Sequence, residues 1–410
     1  MRVLFSVSPW PTHYAAAVPL GWALQAAGHD VRVLCQPSQA APVANAGLLP
    51  VPVLDGMDVV LHNRMTYVRE ALAGRWPYPW LPLHPTTGAQ MSTMEDFDLD
   101  AYDRQVLPEL ARRSSAGHDA AVAFARRFRP DIVVHDPVST EGLLAARVLD
   151  VPAALMLWGP VGTHEDPGAD ILGEDLGGSF ARYGCEPFGA DAISHVIDPC
   201  PEALEPPTRA QRLPARFVPY NGGGSSATAP PDWLDAPADR PRVAVTWSTA
   251  LSIMSGPNSY ALPRIVAGLA ELDIELVLTA TAHDVAALGP VPSSVRVLAN
   301  CPLRLLLTHC DLVIHHGGAG STMTALAVGV PQLAISFAPE QARVGERLVG
   351  ASVGRHLPGH LATAEAIRAE ALAALGETAY RRVATDLAAE NTRRPTPVEL
   401  IDTLDKLTRG

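Results

Sequence analysis

The sequence predicts an α/β protein built from two doubly wound domains. Its 410 residues exceed what one hydrophobic core usually supports. In both halves, short apolar runs typical of buried parallel strands alternate with longer helical segments. A glycine-rich turn also follows the apolar run 312–314, in the place where such sheets bind ligands. We expect an N-terminal domain over residues 1–215, a linker over 216–240, a second domain over 241–392 and a terminal helix over 393–410.

The composition limits the classes to which this protein can belong. With 48% hydrophobic and 18% charged residues, the chain is globular. A net charge of −12 and a pI near 5.6 argue against binding to the phosphates of a nucleic acid. Five cysteines without a Cys-x-x-Cys pair indicate neither a disulfide framework nor a zinc site. The chain has no apolar run of about 18 residues and no signal-peptide pattern, so a cytoplasmic location is expected.

The first domain opens with a strand, a helix and a second strand. Residues 2–8 form an apolar run typical of a central parallel strand, and residues 31–35 form the next one. Between them, residues 15–27 predict a helix that Gly28 ends. The apolar positions that make this helix look mostly buried are Val18, Trp22 and Leu24. His13 lies before this helix, beyond the carboxyl end of the first strand, where open α/β sheets carry their sites.

A carboxylate is predicted at the same edge of this sheet. Residues 130–136 favour another parallel strand, which ends in Asp136. A histidine with a pKa near 6.5 can act as a base at neutral pH, and a carboxylate can orient it. Asp136 is therefore the candidate partner of His13. The alternative is structural: Asp136 caps the helix over residues 141–149 or shapes the turn before Pro137.

The glycine-rich turn of the second domain is the strongest chemical signal. After the strand over residues 312–314, the glycines let the backbone turn sharply, and a helix can open near Ser321. The first N–H groups of a helix have no partner within it, and the helix dipole places about half a positive charge there. His316 adds a donor beside the glycines. A phosphate or diphosphate is a natural occupant of such a turn.

Other segments complete the second domain. Its first strand starts at Arg242, and further strands are predicted over residues 274–278 and 295–298. Helices are predicted through residues 363–390. The segment 395–407 predicts a terminal helix that packs back on the body of the protein, through Val398, Leu400, Ile401, Leu404 and Leu407.

Residues 313–341 resemble the donor-binding signature of family 1 glycosyltransferases, enzymes that transfer a sugar from a nucleotide diphosphate. The plant form of the signature has a histidine, a serine, Gly-Val-Pro and an acidic residue before Gln, at the spacing of His316, Ser321, 329–331, Glu340 and Gln341. The resemblance implies the GT-B fold, in which two Rossmann-like domains face each other. It also implies a diphosphate site made of His316, Gly318, Gly320 and Ser321, and contacts from Glu340 and Gln341 to sugar hydroxyls.

One departure from the signature concerns the nucleotide. Enzymes of this family that use UDP-sugars place a glutamate on the ribose hydroxyls, and this chain has Thr324 at that position. A 2′-deoxyribose needs no acceptor for a 2′-hydroxyl. The family's bacterial antibiotic-modifying members commonly use dTDP-deoxysugars, so the resemblance favours dTDP.

The resemblance also covers parts of both domains outside this signature. Residues 11–13 match the family motif whose histidine removes the proton of the acceptor, and residues 130–136 resemble the strand whose aspartate pairs with it. Thr249 follows the first strand of the second domain, where the family turn donates to the diphosphate. Asn300 stands where relatives often have a tryptophan against the base, and an asparagine cannot stack in that way. The resemblance implies inverting transfer without a metal ion or other cofactor.

Two further segments allow both a functional and a structural interpretation. The Pro-rich loop 75–85 carries three aromatic residues that could line a hydrophobic acceptor, Trp76, Tyr78 and Trp80. The alternative is a rigid surface crossing packed on the domain. Residues 91–100 include an acidic run of Glu95, Asp96, Asp98 and Asp100, which favours a solvated helix start over a metal site.

The leading hypothesis is an inverting glycosyltransferase that moves a deoxysugar from a dTDP-sugar to a hydrophobic natural-product aglycone. A sugar-nucleotide epimerase and a catalytically silent, nucleotide-binding partner of another transferase are the alternatives. A dinucleotide oxidoreductase is disfavoured because neither domain shows Gly-x-Gly-x-x-Gly after its first strand. Whether the protein forms a homodimer or needs an auxiliary activator protein is left open by the sequence.

Overall fold

A computed structural model describes residues 1–220, 222, 231–236, 238–298 and 301–409, and of residues 235, 249 and 250 it describes the backbone alone. None of the helices in these ranges combines the length and the hydropathy needed to cross a lipid bilayer.

The first domain is a parallel sheet with helices on both faces. Its strands are β1 (Arg2–Ser6), β2 (Asp30–Leu34), β3 (Pro50–Val51), β4 (Ile132–His135), β5 (Ala153–Met156), β6 (His195–Asp198) and β7 (Gln211–Pro214). Their order in the sheet is β3-β2-β1-β4-β5-β6-β7. The strand order therefore reverses between β1 and β4, and the crevice at such a switch point is where doubly wound sheets bind ligands.

The second domain repeats this topology. Its strands are β8 (Arg242–Thr246), β9 (Glu275–Thr279), β10 (Val295–Val297), β11 (Leu312–His315), β12 (Gln332–Ser336) and β13 (Gly354–Pro358). They pair in parallel in the order β10-β9-β8-β11-β12-β13, with a switch point between β8 and β11. The two sheets confirm the predicted α/β fold with two doubly wound domains.

Helices connect the strands and cover both sheets. In the first domain they are α1 (Val18–Ala26), α2 (Pro37–Asn45), α3 (Val59–Leu72), α4 (Leu99–Gln105), α5 (Leu107–Phe128), α6 (Thr140–Leu149) and α7 (Ser179–Arg182). Those that follow are α8 (Asp232–Asp235), α9 (Thr249–Ser255), α10 (Leu262–Leu269), α11 (Ala282–Leu288), α12 (Leu303–Leu307), α13 (Ala319–Val328), α14 (Pro339–Gly350), α15 (Ala364–Gly376), α16 (Thr378–Arg393) and α17 (Pro397–Thr408).

The terminal helix returns to the first domain, as predicted. Thr396 and Glu399 form a capping box at the start of α17. Three buried side chains of this helix belong to the hydrophobic core around β1 and α1: Leu400, Ile401 and Leu404. The C-terminal helix therefore connects the second domain back to the first.

The start of α1 differs from the prediction. Residues 13–17 form a 3₁₀ turn, and the α-helix begins only at Val18, with Pro19 in its first turn, where a missing N–H is harmless. Trp22 was predicted to be buried and is 46% exposed. Its indole N–H instead donates to the carbonyl of Ala46 at 2.7 Å. Trp22 is thus a surface side chain with an apolar body and a satisfied polar end.

The acidic run before α4 has a structural role. Asp98 is the N-cap of α4 and accepts a hydrogen bond from the backbone N–H of Ala101 at 2.8 Å. Asp96 forms a capping box with Thr93. Among the residues that the structure describes, no group of three or more His, Cys, Asp or Glu side chains is arranged to hold a metal ion. The helix-start interpretation of this run is confirmed.

Candidate active site

The carboxyl ends of the two sheets meet across the cleft between the domains. The first domain contributes Trp158 and Gly159, which follow β5. A Cβ atom built on Gly159 would lie 3.1 Å from Ala319 Cβ and 3.1 Å from Met323 Cγ, both on α13. The backbone at Gly159 therefore packs closely against the first turns of α13, the helix that follows the glycine-rich turn.

His13 faces this cleft from the end of β1. Its ring stacks on the indole of Trp158, with centroids 3.7 Å apart and planes 25° apart. Its Nδ1 lies 2.6 Å from Ser8 Oγ. Within the described residues, nothing forms a hydrogen bond with its Nε2. Burial lowers the pKa of His13 from 6.5 to about 3. The imidazole is therefore neutral at physiological pH, and it takes up a proton readily only where a nearby group stabilises the imidazolium.

Asp136 lies next to Ser8, and the serine hydroxyl stands between the carboxylate and His13. Asp136 Oδ2 accepts hydrogen bonds from Ser8 Oγ at 2.6 Å and from the Ser8 backbone N–H at 2.7 Å. Its Oδ1 accepts from the backbone N–H groups of Val138 at 3.0 Å and Ser139 at 2.7 Å. Burial raises the pKa of Asp136 from 3.8 to about 6. Asp136 therefore shapes the turn after β4 and also reaches His13, but through Ser8 instead of directly.

A small cavity of about 10 Å³ opens beside these side chains. It is lined by His13, Asp136 and Trp158, together with apolar residues at the ends of β1, β4 and β5. Trp158 Nε1 is buried, and among the described residues it has no hydrogen-bond partner. A buried N–H of this kind is uncommon and indicates a site that a polar group of a ligand can satisfy.

The glycine-rich turn after β11 depends on two close approaches. Gly317 has φ of +85°, in the left-handed region, and its N–H donates to His315 Nδ1 at 3.0 Å. A Cβ on Gly318 would lie 2.6 Å from His316 Nε2. His315 is fully buried and its Nε2 lies 2.9 Å from Gln332 Oε1, which anchors the turn to β12. The sequence therefore needs glycine at 317 for conformation and at 318 for space.

His316 projects from this turn into the cleft region. Its half-buried ring lies edge-on to Trp247, with centroids 5.8 Å apart. Its Nδ1 is buried, and no described residue forms a hydrogen bond with it. Burial lowers the pKa of His316 to about 4, so its ring is neutral and carries one N–H donor.

The N-terminus of α13 has no side-chain cap. Its N-cap residue is Gly318, and the helix begins at Ala319, close to the predicted start near Ser321. Gly320 is exposed, with no atom within 4 Å of the position of a Cβ, and Ser321 is half-buried beside it. The residues of this turn that were predicted to bind the donor diphosphate therefore lie together at an uncapped helix N-terminus, which favours an anion.

Thr324 is turned into its own helix. Its side chain is fully buried, and its hydroxyl donates to the carbonyl of Gly320 at 2.6 Å. The position where UDP-sugar enzymes place a ribose-binding glutamate therefore carries neither a carboxylate nor an exposed side chain.

Glu340 and Gln341 begin α14 at the same edge of the second sheet. Gln341 Oε1 accepts from the Phe337 N–H at 3.0 Å, and its Nε2 donates to Glu340 Oε1 at 3.3 Å. Across the domain boundary, the hydroxyl of Tyr67 on α3 donates to Glu340 Oε1 at 3.3 Å. Burial raises the pKa of Glu340 from 4.5 to about 7. Glu340 therefore lies at the domain interface with Gln341 bonded to it, and the contact of both residues with a donor sugar stays a prediction.

The three aromatic residues of the Pro-rich loop pack on each other and on the second domain. The ring centroids of Trp76 and Tyr78 are 5.1 Å apart, and those of Tyr78 and Trp80 are 5.4 Å apart. His360, beyond β13, lies edge-on to Tyr78 at 5.8 Å. Tyr67 approaches Trp76 at 5.2 Å. This cluster lies on the Glu340 side of the cleft, and the structural interpretation as a packed crossing fits it; contact with the acceptor stays a prediction.

Two residues that were predicted to contact the sugar donor lie partly or wholly outside the part of the chain that the structure describes. Asn300 is not among the described residues, and at Thr249 the structure shows only the backbone, which begins α9. Their roles toward the base and the diphosphate stay predictions.

Sequence reasoning missed four side chains of the site: Ser8, Trp10, Tyr67 and Trp158. Ser8 and Trp10 lie in the stretch between β1 and His13, and the Trp10 ring is 6.2 Å from that of His13. Trp158 follows β5. The rule that ligands bind beyond the carboxyl ends of the strands could have indicated these three. Tyr67 lies within α3, and no local signal connects it with Glu340.

Comparisons with known proteins identify the family. Residues 22–248 match the N-terminal domain of the erythromycin biosynthesis protein CIII-like (EryCIII-like) family, and residues 263–407 match its C-terminal domain. The chain belongs to the EryCIII-like family.

Individual relatives cover this EryCIII-like chain from end to end. It is 34% identical to aklavinone 7-beta-L-rhodosaminyltransferase of Streptomyces galilaeus, across 100% of this chain and 96% of that protein. It is 35% identical to the TDP-daunosamine transferase DnrS of Streptomyces peucetius, across 100% of this chain and 97% of that protein. The EryCIII-like chain is therefore a nucleotide-sugar-dependent glycosyltransferase, and the epimerase and silent-partner alternatives are not supported.

A solved structure agrees with this assignment. The spinosyn rhamnosyltransferase SpnG complexed with thymidine diphosphate superimposes with a TM-score of 0.76 at 26% identity, over 99% of this chain and 100% of that chain. The EryCIII-like protein thus has the GT-B architecture that the sequence predicted.

Proposed function

We propose that this protein transfers a deoxysugar from a dTDP-deoxysugar to a hydroxyl of a hydrophobic natural-product aglycone, with inversion at the anomeric carbon. The observation that carries the proposal is the contact across the cleft: Trp158 stacks on His13, and the adjacent Gly159 packs on the first turns of α13. A neutral imidazole and an open helix N-terminus therefore lie on two sides of one cleft.

The diphosphate is held at the glycine-rich turn. The uncapped N-terminus of α13 offers backbone N–H groups, and the neutral ring of His316 offers one N–H donor. As the sugar leaves, negative charge grows on the diphosphate, and donors already fixed in position stabilise that charge. The chain supplies this stabilisation locally, consistent with its overall net charge of −12.

Two observations support dTDP as the nucleotide. The buried hydroxyl of Thr324 is bonded to its own helix, so this position presents no carboxylate to a ribose 2′-hydroxyl. The similar protein DnrS is a TDP-daunosamine transferase. The similar protein SpnG has been solved in complex with thymidine diphosphate.

His13 acts as the general base. Its Nε2 takes the proton of the acceptor hydroxyl while the oxygen forms a bond to the anomeric carbon. The bond from that carbon to the diphosphate oxygen breaks on the opposite face, and dTDP leaves with the electron pair. The products are the glycoside, dTDP and an imidazolium, which later loses its proton to solvent.

The surroundings of His13 favour an apolar acceptor. Val59, Val138 and Met254 form a buried apolar cluster, on which Trp10 and Trp158 pack. Met254 belongs to α9 of the second domain, so both domains contribute to this surface. A hydrophobic aglycone that enters between the domains would meet apolar side chains beside the imidazole.

Replacement of His13 tests the proposal. In H13A, transfer should fall by a factor of at least about 10² because the base is lost, while dTDP affinity by calorimetry stays unchanged. The matched control is H283A, since His283 is exposed on α11. Near-normal turnover of H13A would remove the base assignment, and tighter binding of UDP than of dTDP would refute the choice of nucleotide.

A further inference from the structure

We propose that Ser8 is a positioning residue for the base: its hydroxyl couples Asp136 to His13 and fixes the imidazole in the tautomer with an unprotonated Nε2. This inference rests on the proposed role of His13. It replaces a direct contact between histidine and aspartate with a chain of three side chains.

The tautomer follows from counting hydrogen atoms. A serine hydroxyl has one hydrogen to donate. Ser8 Oγ donates it to Asp136 Oδ2 at 2.6 Å. Toward His13 Nδ1, which lies 2.6 Å away, the same oxygen can then only accept. His13 Nδ1 therefore carries the hydrogen, and its Nε2 keeps the lone pair that removes the acceptor proton.

The geometry of this chain is fixed at each link. Ser8 is 2% exposed, and its backbone N–H donates to the same carboxylate oxygen as its hydroxyl. Two other N–H groups, of Val138 and Ser139, bind Asp136 Oδ1. Oδ2 is therefore directed to Ser8, and the ring of His13 is held in plane by its stack on Trp158.

This series of hydrogen bonds from Asp136 through Ser8 favours the charged state of His13 without moving a second proton. When Nε2 takes up the acceptor proton, Nδ1–H still donates to Ser8 Oγ, and the Ser8 hydroxyl still donates to Asp136. The negative carboxylate polarises the hydroxyl toward the imidazolium, as hydrogen bonds in series strengthen one another. Ser8 touches neither the sugar nor the diphosphate in this arrangement, so its role is to orient His13.

The test compares two serines of the same strand end. S8A removes the link to His13 but keeps the backbone N–H that anchors Asp136. S6A is the control for a buried serine at this strand end, since Ser6 Oγ lies 2.7 Å from Ser139 Oγ and forms no hydrogen bond with His13 among the described residues. We expect kcat to fall about 100-fold in S8A and less than about 3-fold in S6A, with dTDP affinity unchanged in both.

A double-mutant cycle with D136N distinguishes coupling from general damage. If Asp136 acts on His13 through Ser8, D136N lowers kcat strongly in the wild type and less than about 3-fold in the S8A background. If D136N lowered kcat by the same factor in the S8A background as in the wild type, the proposal would be overturned. An S8A variant with wild-type kcat would overturn it too. Nitrogen NMR of the wild type shows which ring nitrogen of His13 carries the hydrogen, and this measurement does not require the S8A variant to fold. A hydrogen on Nδ1 of His13, assigned by comparison with H13A, supports the proposal, and a hydrogen on Nε2 overturns it.

Failure of this inference can be told apart from failure of the proposed function. An active H13A removes the base and with it any role for Ser8. An inactive H13A together with a fully active S8A leaves the base in place and removes only the role of Ser8.

Discussion

Replacing Gly318 by alanine should weaken nucleotide binding through one side chain, His316. Gly318 has φ of −66° and ψ of 140°, which any residue adopts, so alanine causes no backbone strain. Its new Cβ would lie 2.6 Å from His316 Nε2 and 3.1 Å from Cε1, whereas ordinary contacts begin at 3.4 Å. The His316 ring must therefore move by about 0.8 Å. Such a shift would lengthen a hydrogen bond of ordinary length from this ring to the diphosphate beyond the effective range.

The size of the effect follows from the loss of that donor. A hydrogen bond to a charged group contributes about 1.5–3 kcal/mol. Its loss should raise the Kd for dTDP about 10- to 100-fold. Isothermal titration calorimetry measures this directly, and G350A is the matched control, because Gly350 has no atom within 4 Å of its Cβ position. If G318A bound dTDP as tightly as the wild type does, His316 would not be a ligand of the diphosphate.

Three further predictions concern the base, the sugar contact and the terminal helix. As pH falls through about 6, kcat should decrease, because Asp136, whose pKa is raised to about 6 by burial and by the nearby Glu141, becomes protonated there, while His13, with a pKa of about 3, stays neutral. D136N should lack this inflection. Y67F should raise the pKa of Glu340 above about 7, because the hydroxyl of Tyr67 lowers it in the wild type. The pH midpoint of the donor KM should therefore move upward, and an unchanged midpoint would show that Tyr67 does not act on Glu340. L404A should reduce the free energy of unfolding by about 2–5 kcal/mol, since Leu404 is fully buried on α17. The control V398A, 64% exposed on the same helix, should change it by less than about 0.5 kcal/mol in urea titrations.

The fold was predictable because its signals are local. The strands β1, β4 and β11 are short apolar runs, and each is followed by polar or glycine residues at the carboxyl end. The rule for doubly wound sheets then placed His13, Asp136 and the turn at His316 at the edges that face the cleft. Turn residues and the pattern of apolar positions also sufficed for α17.

The details of the site depend on contacts between distant residues. Ser8 and Asp136 are 128 positions apart, and only the pairing of β1 with β4 brings them together. Tyr67 and Glu340 meet only because the domains face each other. The exposure of Trp22 likewise depends on a carbonyl that α2 presents to it at Ala46. Such pairings leave no pattern in a single sequence.

A crystal structure of the protein with dTDP tests the central claim most directly. The proposed function predicts the diphosphate at the N-terminus of α13, within hydrogen-bond distance of His316, with His13 facing it across the cleft. A diphosphate bound away from residues 316–321, or an imidazole of His13 turned out of the cleft, would contradict the account.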